Sequence, residues 1–211
     1  MQKQKTIYHL VVDKSGSMSD CIEQTISGFN EQVIKICALQ NEYPDQEITI
    51  GLTTFNDEVH HHFFQSPPEL VKKLHYESYM PNGTTALLDA IGMTVNIIEK
   101  EIINHSKESN TTVVIVIITD GHENSSKEFN LADIKKKISR LEETSQWTFS
   151  FLGATIDAVD VAKEMSIKSR NSFVFSKANM KAGLFDRLSS SMENYMSKKT
   201  KGKGLDDLFS E

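Results

Sequence analysis

Val113-Val114-Ile115-Val116-Ile117-Ile118 is an unbroken run of β-branched residues, closed by Thr119, Asp120 and Gly121. A segment that is apolar at both alternating positions must be covered on both faces, which is the situation of an inner strand in a parallel sheet. It is also the longest apolar run in the chain and falls far short of the roughly 20 residues that cross a bilayer. Shorter runs of the same character flank it at Ile7 to Val12, Ile48 to Phe55 and Trp147 to Leu152. Between them lie stripes at steps of three and four, the mark of amphipathic helices: Ile22, Ile26, Phe29, Val33 and Ile36; Leu88, Ile91, Val95, Ile98 and Ile102; Leu131, Ile134, Ile138 and Leu141.

Strands alternating with helices of this length require right-handed crossovers. The fold expected is α/β, doubly wound, with a mostly parallel sheet and helices on both faces. Glu58 to Phe64 departs from the pattern, because Asn56-Asp57 is too short for a crossover and makes this segment an antiparallel edge strand. Ser66-Pro67-Pro68-Glu69 reads as a short helix start, with Ser66 as cap. Phe173 to Phe175 gives a sixth strand, and Met180, Leu184, Leu188, Met192 and Tyr195 stripe a last helix.

The 211 residues fit one domain, 1–197, with a flexible tail over 198–211, where Lys198 to Gly204 has no apolar residue. With 23 basic and 29 acidic residues the net charge is -6, so no global field favours nucleic acid or an anionic membrane. The polar start, Met1 to Thr6, leads into a strand rather than a signal-peptide core, and a cytoplasmic location is expected. Cys21 and Cys37 fall in one expected helix, about 24 Å apart at its rise per residue, too far to pair.

Ligands of open α/β sheets sit outside the carboxyl ends of the strands. Three such loops share one chemistry: Asp13-Lys14-Ser15-Gly16-Ser17, Asn82-Gly83-Thr84-Thr85 and Thr119-Asp120-Gly121. All offer small oxygen donors, which suit a hard divalent cation, and Mg2+ takes hydroxyls and water beside one or two carboxylates. Asp13, Ser15, Ser17, Thr85 and Asp120 are the candidate ligands, and Mn2+ or Ca2+ would also accept oxygen donors. Two carboxylates leave such an ion electrophilic and open to an acidic group from outside. The competing interpretation makes Asp13, Ser15 and Ser17 ordinary helix caps.

These residues resemble a von Willebrand factor A-type domain. Asp13-Lys14-Ser15-Gly16-Ser17 is similar to the DxSxS signature of its metal-ion-dependent adhesion site, and Thr85 before Ala86-Leu87-Leu88-Asp89-Ala90 and Asp120 in Ile118-Thr119-Asp120-Gly121 complete the motif loops, with Thr84 the alternative to Thr85. The likeness spans about residues 5 to 195. It implies a six-stranded sheet with one antiparallel edge and a Mg2+ site whose open position accepts a partner's carboxylate. Ile118 to Asn124 and Phe151 to Ala158 are similar to small intracellular A-type proteins of bacteria and phages.

The function expected is a divalent-metal-dependent protein-binding module whose partner is a protein with an exposed Asp or Glu. His122, Glu123 and Asn124 follow Asp120 and are expected on the rim, where a partner would read them. The alternative class is a structural or assembly component of a phage or multi-protein complex. An enzyme ranks below both. A phosphotransferase of the haloacid-dehalogenase type would want a carboxylate where Ser15 stands, no GxxxxGK[ST], GxGxxG or GxSxG motif occurs, and a metal hydrolase would have only His122 and Glu123 as bases. His60-His61-His62 is read as a polar edge that discourages strand pairing, rather than a metal site. Leu205, Leu208 and Phe209, set among Asp206 and Asp207, have the make-up of a docking peptide or, alternatively, of a solubilising end.

Overall fold

A computed structural model describes residues 4–104, 110–120, 122–154, 157–201 and 207–209. Strands β1 (Gln4–Asp13), β2 (Gln46–Phe55), β3 (Val59–Ser66), β4 (Thr111–Thr119), β5 (Trp147–Gly153) and β6 (Ser172–Val174) form one sheet in the order β3-β2-β1-β4-β5-β6. Only β3 runs antiparallel, against β2. The helices are α1 (Ile22–Glu42), α2 (Leu87–Asn104), α3 (Leu131–Glu142), α4 (Asp157–Glu164) and α5 (Asp186–Thr200). None among the described residues is long and apolar enough to cross a membrane.

Alternation along the strands divides the core into two layers. Tyr8, Leu10 and Val12 of β1 join Val114, Val116 and Ile118 of β4 against Phe29 and Ile36 of α1 and Leu188, Met192 and Tyr195 of α5. Ile7, Val11, Val113, Ile115 and Ile117 point the other way, onto Ile91, Val95 and Ile98 of α2 and Ile134, Ile138 and Leu141 of α3. β1 and β4 are thus the doubly covered centre of the sheet. After β1 the chain crosses toward β2, and on the other side β4 leads toward β5. Their carboxyl ends therefore flank the point where the winding reverses, the usual ligand crevice of such a sheet.

Two local expectations are corrected, and one helix is added. Ser66 does not cap a helix: it ends β3, paired with Ile50, and only a 3-10 turn at Pro68–Leu70 follows. Helix α4 has no counterpart in the sequence reading, since eight residues give too few turns for a stripe to declare itself. The last helix is not uniform, with Met180–Phe185 in a wider π-helical turn before α5.

The expected flexible tail over 198–211 is also corrected where residues are described. Helix α5 runs on to Thr200, and the ammonium of buried Lys199 donates to Lys5 O, Thr6 Oγ1 and Thr112 Oγ1. Beyond it Asp207 pairs with Arg170, Leu208 N donates to Asn171 Oδ1 at 3.0 Å, and the Leu208 side chain is 1% exposed. Phe209 meets Phe173 edge to face at 5.1 Å, and Arg187 lies over both rings. The sequence reading missed this because the apolar groups are few and their partners on β6 and α5 are remote. Leu205, Asp206 and Gly121 lie outside the described residues.

Candidate metal centre

Because β1 and β4 are parallel neighbours, with Val12 opposite Ile118, Asp13 and Asp120 leave the sheet side by side. Asp13 is fully buried. Its Oδ1 accepts from Ser15 N at 2.7 Å and its Oδ2 from Thr119 Oγ1 at 2.5 Å. Burial pushes this carboxyl up, and those two hydrogen bonds work against the shift. The loop then enters a 3-10 turn at Gly16–Cys21. Ser15 is at its N-cap, yet its side chain makes no cap bond. Instead Ser15 Oγ lies 3.1 Å from Ser17 Oγ, which donates to Asp120 Oδ1 at 2.6 Å. The capping interpretation fails for the two serines: Ser15 makes no cap bond and meets Ser17, whose hydroxyl points toward the second carboxylate.

The second loop is tied to the first through its backbone. Gly16 N donates to Gly83 O at 3.1 Å and Asn82 N to Lys14 O at 3.0 Å. Gly83 has φ +71°, and a Cβ there would stand 2.0 Å from Asp57 Oδ1, so a side chain is excluded twice over. The buried Tyr79 hydroxyl donates to Asp13 O at 2.6 Å and fixes the start of the site. Thr85 is 3% exposed, whereas Thr84 is exposed.

The third loop holds Thr85 in turn. Thr85 N donates to Asn124 Oδ1 at 2.9 Å, and Asn124 N donates back to Thr85 O at 3.1 Å. Glu123 is turned inward: its carboxylate accepts from Ser125 N, Ser126 N, Ser126 Oγ and Leu88 N. Asp89, in the first turn of α2, accepts from Lys127 N, Glu128 N and Phe129 N. The chain after Asp120 is therefore stapled to the N-terminal end of α2, where unpaired amides favour carboxylates. Of the three expected rim residues, only His122 stands exposed without such a structural bond, while Glu123 and Asn124 position Thr85 and its helix.

One residue at the site escaped the sequence reading. Lys177, past the end of β6, ion-pairs with Asp120 Oδ2, lies 3.1 Å from Asp20 Oδ1 and donates to Ser17 O at 2.7 Å. The Asp120 side chain is left 1% exposed. The signal available was topological: a loop after a parallel strand must emerge at the same edge as the other strands' carboxyl ends.

The donor set is oxygen throughout, and it already holds a cation, the Lys177 ammonium. Both facts fit a hard divalent ion. No group of three His, Cys, Asp or Glu suited to a metal occurs among the described residues, so a nitrogen and sulfur centre of the zinc type is not assembled there. The edge histidines do not converge. His61 Nδ1 lies 3.0 Å from Thr53 Oγ1 and His62 Nε2 2.8 Å from Thr54 Oγ1, on opposite faces, while His60 is 3.6 Å from Glu58.

The sequence profile of the von Willebrand factor type A domain matches residues 9–190. The chain belongs to this family. As a von Willebrand factor type A domain it is similar to the vWF domain of the type V pili tip protein Mfa5 from Porphyromonas gingivalis, with TM-score 0.65 and 13% identity over 93% of this chain and 97% of that one. Proximal thread matrix protein 1 of the mussel byssus, described with a zinc-occupied MIDAS motif, aligns with TM-score 0.54 and 15% identity over 94% of this chain and 46% of its own. The ArnB paralog VWA2 from Sulfolobus acidocaldarius gives 0.54 and 14% over 88% and 45%. The chain spans nearly all of the first and a little under half of the other two. At such identities the likeness establishes the fold alone. No curated protein matches the chain in sequence.

Proposed function

We propose that this von Willebrand factor type A domain binds a protein partner through a divalent ion, Mg2+ for preference, held by Asp13, Ser15, Ser17, Thr85 and Asp120. The observation that carries this reading is the joining of three loops by direct hydrogen bonds into one oxygen-lined site that already contains a cation. Such an ion supplies an electrophilic position for a carboxylate of the partner. His122, exposed beside the site, is the rim group left to read that partner. A binding role rather than catalysis is supported by Glu123, whose carboxylate is engaged by three amides and a hydroxyl and is not free to act as a base. A cytosolic setting accords with two free cysteines, Cys21 buried.

Mg2+ or Mn2+ is expected to raise the melting temperature, since only the folded chain assembles the ligands, and linkage gives about 2.7 kcal/mol at ~100 times the dissociation constant. Asp13→Asn keeps an acceptor for Ser15 N while removing the charge, and is expected to abolish the shift. Coincident melting curves with metal and with chelator, together with no heat of binding, would refute the metal site. Capture of one partner equally well in chelator would refute metal-dependent recognition.

A further inference from the structure

We propose that Lys177 is a built-in competitor of the divalent cation: its ammonium holds Asp120 until the ion displaces it. The inference rests on the metal-site reading given above and adds to it what sets the affinity of that site. Three contacts support it. Lys177 Nζ is paired with Asp120 Oδ2, hydrogen-bonded to Ser17 O at 2.7 Å and steered by Asp20 Oδ1 at 3.1 Å. Of the candidate donors the ammonium covers Asp120 Oδ2, and its bond to the main-chain carbonyl of Ser17 seats it beside the Ser17 hydroxyl that holds Asp120 Oδ1. Asp120 keeps only 1% of its side-chain surface, and the Lys177 side chain itself is 26% exposed.

A primary ammonium and a metal ion cannot share one carboxylate face at contact distance, because like charges repel most where the dielectric is low. Entry of the ion at Asp120 therefore competes with the Lys177 contact to Oδ2, and the free energy of that charge-assisted bond is subtracted from metal binding. Asp20 lies outside the ligand set and gives the displaced ammonium a place to stay. Lys177 thus sets the cation concentration at which the site becomes competent. It keeps Asp13 and Asp120 from facing one another without a counter-charge below that concentration.

Calorimetric titration with Mg2+ of the full chain and of Lys177→Met is the direct test, since methionine keeps an unbranched apolar stem, one atom shorter, and loses the charge. The variant is expected to bind Mg2+ at least about ten-fold more tightly than the parent, the factor that matches one charge-assisted hydrogen bond. Lys177→Arg, which keeps the cation, is expected to stay near the parent value. A second readout does not depend on any variant: acylation of the Lys177 amine, followed by mass spectrometry, is expected to speed up when Mg2+ is added. Measurable binding in the parent with equal or weaker binding in Lys177→Met overturns the competitor role and leaves the metal site standing. An acylation rate unchanged at saturating Mg2+ does the same. Absence of Mg2+ binding in all three proteins overturns the site and the competitor together.

Discussion

Glu123 illustrates how position along the chain and position in space can part company. It follows Asp120 closely, at the mouth of the candidate site, and a carboxylate there invites a role in recognition. Its oxygens are instead consumed by Leu88 N, Ser125 N, Ser126 N and Ser126 Oγ, at the N-terminal end of α2. Glu123→Ala is therefore expected to lower stability by about 2 kcal/mol, the cost of orphaned amides at a helix start, rather than to redirect partner choice. Chemical denaturation of the metal-free protein checks this. An unchanged midpoint together with altered partner affinity would return Glu123 to the rim. His122→Ala carries the opposite expectation, altered capture at unchanged stability and unchanged Mg2+ binding. Asp13 is the residue at which stability and binding are hardest to separate, because its buried carboxylate answers Ser15 N and Thr119 Oγ1 as well as any ion.

Among the elements, the segment Asp207–Phe209 overturns most. Leu208 is buried against a core that includes Phe175 and Leu188, and Phe209 is held by Phe173 and Arg187. Leu208→Ala is expected to cost about 2 kcal/mol, the low end for a buried leucine, because a short segment outside the sheet and helices can detach instead of leaving a cavity. Ending the chain after Thr200 is expected to lower the melting temperature by several degrees without changing the Mg2+ response, and thermal unfolding of both variants checks it. The six strands and four of the helices were legible because their apolar spacing is local and strong, as in the Val113 to Ile118 run. The ligand loops were legible because strand order sends Asp13 and Asp120 to one edge. Contacts made by single residues across large sequence distances left no trace in periodicity, which is why Lys177 on Asp120, Lys199 on Thr6 and Leu208 on Asn171 went unread. Helix α4 and the π-helical turn at Met180–Phe185 fall below the length at which a stripe discriminates.

For the whole molecule, the titration of one buried imidazole sets an acid limit. His9 of β1 is fully buried, its ring tilted against that of Phe64 at 4.8 Å between centroids, with Nε2 2.9 Å from Thr53 Oγ1. Thr94 Oγ1 donates to the same Thr53 oxygen, so the arrangement that satisfies the Thr53 hydroxyl has His9 Nε2 donating and Thr53 donating to His61 Nδ1. His9 Nδ1 is then a bare acceptor facing Gly51, where a Cβ would stand 2.0 Å away. Burial pulls the His9 pKa down to about 3, with His61 adding to the effect. Below the ordinary value of about 6.5 the unfolded chain takes up a proton that the folded chain refuses, so stability falls as pH drops toward 3, by up to about 1.4 kcal/mol per unit. His61 and His62, also lowered by burial, act in the same direction. Unfolding free energies at pH 6.5 and 5 are expected to differ by about 2 kcal/mol, and the difference is expected to shrink in His9→Gln. A flat profile in the parent would mean that the imidazole is reached by water.

The bond from Lys199 Nζ to Lys5 O, 2.7 Å long, fastens the last turn of α5 to the first residues of β1. Because β1 is ten residues long, that junction lies about 30 Å from Asp13, at the opposite edge of the sheet. A flexible bridge from Thr200 to Gln4 could close the polypeptide into a ring, and the ring could be reopened in an exposed turn away from the ligand loops, such as the one at Thr144 and Ser145 before β5. The resulting circular permutant would keep the three ligand loops in their present order around the crevice, and attachment through the bridge to a bead or chip would leave the candidate cation edge facing the solution.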